Sequence, residues 1–198
     1  MNLSLMLKKS QHYTRSSRFM KVTIEEAKSI IQAGGIIAYP TETTFGLGCD
    51  AFNKTALERL NAIKQRSKNK GFITLIHNYE QLKLLTPPLS ETLMHPIRSK
   101  WPGPYTFVFP AHLNLPALLT GSRNSIAIRM SSHPIAHELS KNAPITSTSA
   151  NISTQKVLTT LKDIETTFNE LIDGIIDVPP HNTPPSRIID AISGECFR

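Results

Sequence analysis

The chain has 198 residues with 39% hydrophobic content, enough to bury a core and short enough that one domain is the default. Its 22 Lys+Arg against 15 Asp+Glu give a formal charge of +7, but residues 1–19 carry four cations and no acid, and Lys64–Lys70 carry four more, so the remaining body stands at 14 against 15. Basicity this local excludes a non-specific duplex binder, whose affinity needs phosphate contacts spread over a face. The two cysteines, Cys49 and Cys196, exclude a disulfide framework or thiolate zinc site, and no apolar run reaches the length of a membrane helix.

The opening stretch "MNLSLMLKKSQHYTRSSRF" has a five-residue apolar patch with its basic residues after it, too little for a secretory signal. Its Arg and Ser suit a transit peptide, while "MKVTIEEAKSII" from Met20 begins an ordinary domain. Residues 1–19 are therefore expected to be a disordered extension or an upstream mis-start, and 20–198 a single domain. A reducing, cytoplasmic setting is expected from the cysteine usage.

Thr23 and Glu26 form a capping-box pattern, Ile24, Ala27, Ile30 and Ile31 keep helical spacing, and Gly34-Gly35 ends the segment. "IIAY" reads as a buried strand and "PTETTFGLGCDAF" as a polar turn entering a Gly-punctuated strand. Ala56, Leu57, Leu60 and Ile63 predict a helix delivering Lys64 at its C-terminal end, where a cation suits the dipole. "FITLIH" is a second apolar strand, followed by helical patterns at Tyr79 to Leu85 and Ser90 to Lys100. "WPGPYT" is a rigid loop before the strand "TFVF". "SIAIRM" is a strand, Pro134 opens a helix over Ile135 to Lys141, and "PITS" is a short strand leading into "TSAN". A helix near Leu161 to Leu171, the strand "GIIDV", the loop "PPHNTPPS" and strands at "RIID" and "ECFR" follow. This interleaving predicts an α+β fold, a mixed twisted sheet with flanking helices rather than a regular doubly wound one.

No phosphate loop, GxGxxG, GxSxG or HExxH is present. "HPIAH" spaces His133 and His137 four apart, but Pro134 starts the helix after His133, so two separate histidines are the plainer reading over a metal pair. In "KQRSKNK", Lys64 and Arg66 are two apart, and an extended segment would aim both at one anion; a solvated loop is the alternative. "STSAN", Ser147–Asn151, offers three hydroxyls and an amide for phosphate oxygens, or an ordinary polar turn. Arg129 ends the strand "SIAI", where it serves either a surface ion pair or an inward fork for a carboxylate. "YPTET" brings Thr41, Glu42 and Thr43 to another strand end. Four such clusters together suggest a cleft for a polyanion.

The ordered motifs "YPTETTFGLG", "KQR", "WPGPYTFVFP", "SIAIRMSSHP", "STSAN" and "PSRIID" resemble the YrdC/Sua5 family in its short bacterial form, over Val22 to Arg198. The resemblance implies a YrdC-like fold around a concave cationic cavity. It also implies an enzyme, a nucleotidyltransferase that joins L-threonine, bicarbonate and ATP into L-threonylcarbamoyladenylate with release of pyrophosphate, for t6A modification of adenosine 37 in tRNA. TsaD, TsaB and TsaE are the implied downstream partners, tRNA the later acceptor, and Mg2+ the ion accompanying ATP, with no metal caged by protein side chains.

Matched to the family's K-x-R and S-x-N signature, Lys64 and Arg66 are the implied catalytic cations. Arg66, Lys70, Ser125, Ser149, Asn151 and Arg198 fall on the ATP side. Thr43, Arg129, Ser147 and Ser186 fall on the threonine side. The chain departs from the family at Ser67, where a proline is common, at Leu75, where longer relatives place a histidine toward threonine, and at Arg187, where threonine is frequent. An RNA-binding module using the same cations is the alternative reading, and a hydrogenase-maturation type of carbamoyl-transfer domain a further one.

Overall fold

Thr23 sets the first element by reciprocal capping. Its hydroxyl accepts from the Glu26 amide at 3.3 Å and the Glu26 carboxylate accepts from the Thr23 amide at 2.8 Å, an arrangement typically contributing about 1 kcal/mol. The computed structural model describes residues 20–198, so the expectation for residues 1–19 lies outside it. Helix α1 runs Ile24–Gln32, α2 Lys54–Lys64, α3 Glu91–Arg98, α4 Ala117–Thr120, α5 Pro134–Leu139 and α6 Leu161–Phe168. The strands are β1 Ile37–Pro40, β2 Phe45–Gly48, β3 Ile73–Ile76, β4 Tyr105–Pro110, β5 Ser125–Met130, β6 Ile145–Ser149, β7 Gly174–Ile175 and β8 Arg187–Asp190.

These strands form one eight-stranded sheet in the order β7-β1-β2-β6-β3-β5-β4-β8. The pairs β1–β7, β3–β5 and β4–β8 are parallel and the other four antiparallel, so the expected mixed sheet is what forms. Four readings are corrected. "ECFR" forms no extended strand: it runs beside β8 with one isolated bridge, Ile189 to Cys196, flanked by backbone hydrogen bonds from Phe197 N to the Ile188 carbonyl, Ile188 N to the Arg198 carbonyl and Asp190 N to the Glu195 carbonyl. "GIIDV" pairs over two residues only. Tyr79–Leu84 is a 3-10 helix, and Ser147–Ser149 belong to β6 rather than to a turn after it. The short helix α4 has no periodic apolar pattern long enough to reveal it.

Residues paired across neighbouring strands face the same way. Ala38, Leu47, Ile128 and Phe107 thus share one face, where Leu57 and Leu60 of α2, Ile97 of α3, Leu119 of α4 and Phe168 of α6 join them in the larger core. On the opposite face Ile37, Tyr39, Ile145 and Leu75 pack under Ala27 and Ile31 of α1 and Ala136 and Leu139 of α5. No helix of this second layer extends over the rest of that face. There Ile73, Ser125, Ala127, Ser147, Ser149 and Val108 are all only half-buried. The floor is flat because its side chains are small.

Gly48 lies against this second core, where an added Cβ would stand 2.3 Å from the Thr146 carbonyl oxygen and 2.8 Å from the Tyr39 ring. The nearest of these atoms is backbone and cannot swing aside. Gly48→Ala is expected to cost about 1–3 kcal/mol, read as a lower urea midpoint with an unchanged m-value.

Candidate functional site

Helix α2 ends because Gln65 adopts a left-handed conformation at φ 47, turning the chain through the "KQR" segment. Lys64 thus ends the helix, as the apolar spacing predicts, and the chain after it turns rather than running extended, yet both Lys64 and Arg66 reach β6. Lys64 is 2% exposed. Its Nζ donates to the Ser149 carbonyl at 2.5 Å, to Asn151 Oδ1 at 2.8 Å and to the Asn151 carbonyl, while its own carbonyl accepts from Ser153 N at 2.9 Å. All three ammonium protons are thereby committed to one segment. Burial first, and then the nearby Arg66 charge, push the Lys64 pKa down to about 8.

Arg66 is bound less completely. Nε donates to the Lys70 carbonyl at 3.1 Å, Nη2 to the Gly71 carbonyl at 2.6 Å and Nη1 to Thr148 Oγ1 at 3.4 Å, with Cζ 5.2 Å from the Phe72 ring centre. A guanidinium has five N–H groups, so one remains on each terminal nitrogen. Those two are available to an anion. Burial pulls the guanidinium pKa downward without discharging a group that stays protonated throughout the working range.

The β6 exit presents Ser147 and Ser149 toward the open floor, two residues apart on one face. Ser149 Oγ donates to Asn151 Oδ1 at 2.7 Å, and Asn151 Nδ2 donates to the Gln155 carbonyl at 2.7 Å. Ser125 begins β5 on the same floor, opposite Pro110. Lys70 is exposed, and its carbonyl, not its ammonium, is what holds Arg66.

Arg129 sits further along this face, opposite Leu75, and is 6% exposed. The sequence left a surface ion pair or an inward fork; the pairing is instead buried. Arg129 Nε donates to the Gly103 carbonyl at 3.0 Å, and Nη2 stands 2.8 Å from Glu42 Oε2. Nη2 makes no aligned hydrogen bond, so it meets Glu42 by charge and proximity. Glu42 also accepts from Ser131 Oγ at 2.9 Å, Ser132 N at 2.6 Å and Ser132 Oγ at 3.0 Å. Burial works to raise its pKa, but the Arg129 charge and the hydrogen bonds outweigh it and hold the carboxyl below the usual range.

Glu42 as the charge partner of Arg129 escaped sequence reading, which took it for one polar group of a strand-end turn. The signal was a lone acid in "YPTETTFGLG", but its cation lies 87 residues away and only pairing across the sheet reveals it. Thr43 Oγ1 lies 3.2 Å from Thr41 Oγ1 in the same turn. A strap over residues 181–186 closes on it, with Thr183 N and Oγ1 donating to the Glu42 carbonyl at 2.9 and 2.8 Å. Ser186 ends the strap with Oγ 3.0 Å from Thr106 Oγ1, and its carbonyl accepts from Arg198 Nε and Nη2, each at 3.2 Å. His133 and His137 stack on different rings, His181 and His77. Among the described residues no group of three or more His, Cys, Asp or Glu is placed to hold a metal.

The Sua5/YciO/YrdC family model, described as "Telomere recombination", matches residues 29–198. The chain belongs to this family. The threonylcarbamoyl-AMP synthase of Coxiella burnetii (strain RSA 493 / Nine Mile phase I) is 39% identical over 179 residues, covering 89% of this chain and 96% of that protein. Sua5 of P. abyssi complexed with L-threonine is 32% identical, with a TM-score of 0.80 over 87% of this chain and 52% of that one. The present chain thus spans about half of that longer Sua5. YciO of E. coli is 26% identical, with a TM-score of 0.73 over 88% of this chain and 90% of that one. Mixed-sheet topology and family membership therefore agree.

The depressed Lys64 pKa has a consequence for stability. Between about pH 8 and the ordinary lysine value of 10.5, the unfolded chain holds a proton at this residue that the folded chain has released, so raising the pH favours folding. Relative to Lys64→Met, the parent is expected to gain stability across this window, by up to about 1.4 kcal/mol per pH unit, in paired urea titrations at pH 7.5 and 10.

Proposed function

We propose that the protein is an L-threonylcarbamoyl-AMP synthase, a nucleotidyltransferase that converts L-threonine, bicarbonate and ATP into L-threonylcarbamoyladenylate and pyrophosphate. The observation that carries the reading is the uncovered half-face of the sheet, floored by Ser125, Ser147 and Ser149 and bordered by two arginines with unused N–H groups. Support also comes from the named activity of the Coxiella relative and the L-threonine in the P. abyssi complex. Every reactant on this path is an anion or carries one, which suits a floor of hydroxyls edged by guanidinium groups.

In the proposed reaction an oxygen of N-carboxylated threonine attacks the α-phosphorus of ATP, and the bond to the β-phosphate oxygen breaks as pyrophosphate departs. Charge builds where both reactants are already negative, so catalysis rests on positioning and fixed donors rather than on a protein nucleophile. Arg66 supplies its two spare N–H groups to the phosphates, with Ser125, Ser149, Lys70 and Arg198 on the same side. Lys64 holds Ser149 and Asn151 in register and adds its charge from beneath. Thr43, Arg129, Ser147 and Ser186 take the amino acid, Arg129 meeting its carboxylate. Magnesium enters with ATP, its ligands drawn from phosphate oxygens and water.

The product would serve t6A formation on tRNA through TsaD, TsaB and TsaE in the cytoplasm. No helix among the described residues is long and apolar enough to cross a membrane. An RNA-binding role for the same cations is the rival reading, yet the loop Ser67–Lys70 contains no aromatic residue on which single-stranded bases could stack.

Pyrophosphate release that requires threonine, bicarbonate and ATP together is the expected result of a coupled assay, and release independent of threonine would overturn the proposal. Arg66→Ala is expected to slow that release about a hundredfold, equivalent to about 3 kcal/mol of lost charge stabilisation. Its thermal midpoint should fall far less than a core truncation would lower it, since Arg66 borders an open floor.

A further inference from the structure

A buried carboxylate is out of place beside a floor meant for anions. Glu42 is 6% exposed and lies within 2.8 Å of Arg129, the cation that the proposed function assigns to a ligand carboxylate. Left unpaired it would repel such a ligand, so its presence calls for a gain elsewhere. That gain is visible in what it holds. One carboxylate oxygen takes the amide and hydroxyl of Ser132, the other takes Ser131 Oγ and abuts Arg129 Nη2. The Glu42 carbonyl meanwhile takes two donors from Thr183 in the strap that ends at Ser186. A single residue thus touches the end of β5, the β1–β2 turn and the strap.

We infer that Glu42 is a positioning residue for the amino-acid side of the site: it fixes the Arg129 guanidinium by charge while leaving N–H groups unspent, and ties that arginine to the strap carrying Ser186. The assignment to the amino-acid side rests on the proposed function. The geometry supplies the reason for a charge contact rather than a saturated one. Arg129 is anchored at Nε by the Gly103 carbonyl, which sets the plane of the guanidinium. Its Nη2 is buried and close to Glu42 without an aligned hydrogen bond, and Nη1 has no protein acceptor among the described residues. The fork is therefore held in place with donors in reserve. Glutamine at position 42 would preserve size and one acceptor oxygen but remove the charge, leaving the Gly103 carbonyl as the one remaining restraint on the guanidinium among the described residues.

The test is steady-state kinetics and a double-mutant cycle on the full chain. Glu42→Gln is expected to raise the KM for threonine about tenfold to a hundredfold, the scale of a misplaced contact, while leaving the KM for ATP within about twofold. In the Arg129→Ala background the same substitution should change the threonine KM little, because Glu42 acts through Arg129. Equal rises in both KM values, or effects of Glu42→Gln and Arg129→Ala that simply add, would overturn the inference and leave Glu42 as general scaffolding. Nitrogen-15 spectra provide a readout independent of turnover: Arg129 side-chain resonances should show restricted rotation in the parent and faster rotation in Glu42→Gln. Unchanged resonances would likewise overturn it. If the parent releases no pyrophosphate, the proposed reaction fails on that result alone, and the spectra still decide whether Glu42 restrains Arg129.

Discussion

A lysine ammonium taken out of water must replace its hydration with acceptors, and Lys64 finds all three on one stretch of chain. The oxygens of Ser149 and Asn151 receive its protons, and the Lys64 carbonyl takes the Ser153 amide in return. The contact fastens the end of α2 to the exit of β6. Arg66 follows two residues later, so the same fastening brings its guanidinium within reach of Thr148 and the Gly71 carbonyl. Asn151 serves both sides, taking a proton from Ser149 while its own amide braces Gln155. The strand end keeps its shape because a buried charge has nowhere else to go.

The two cations of the "KQR" segment therefore divide their labour. Lys64 has no proton left to offer a visitor, and Arg66 has two. Spacing alone makes them look equivalent, whereas the left-handed turn at Gln65 sends one into the protein and the other along its surface. A similar division separates Arg129 from Arg66. Arg129 sits in a compensated, enclosed setting beside Glu42, and Arg66 lies over Phe72 with no carboxylate paired to it among the described residues. One guanidinium has a fixed counter-charge beside it; among the described residues the other has none.

Much of the fold was legible because local patterns and global packing agree. The capping box at Thr23, the apolar spacing of Ala56, Leu57, Leu60 and Ile63, and the runs "FITLI" and "SIAIRM" each specify their element without help from distant residues. Reading failed where pairing depends on partners far along the chain. "ECFR" has strand-like composition and does lie along β8, but its pairing amounts to one isolated bridge at Cys196 with a few flanking backbone hydrogen bonds, too short for a strand. "STSAN" has the composition of a turn, yet Ser147 lies between β3 and β2 and is drawn into the sheet. Of the candidate site residues, Lys64, Arg66, Arg129, Thr43, Ser147 and Ser149 were visible as polar or cationic clusters, whereas Ser125, Ser186 and Arg198 came from the family resemblance alone. What no local pattern could reveal was the Glu42–Arg129 pair, which exists only after β6 and β3 have been placed between β2 and β5.

The rigid turn "WPGP" has a further consequence. Its Gly103 carbonyl anchors Arg129, and two residues earlier stands Trp101, the sole tryptophan in the sequence, 5% exposed and donating its indole N–H to the Tyr105 carbonyl at 2.7 Å. The indole packs edge-on to Phe107, with ring centres 5.5 Å apart. The molecule therefore carries one indole fluorophore, seated in an apolar aromatic nest and linked by two residues of backbone to the carbonyl that holds the Arg129 guanidinium. Rearrangement around that arginine reaches the emission spectrum through one hydrogen bond and two residues of backbone, with no added dye.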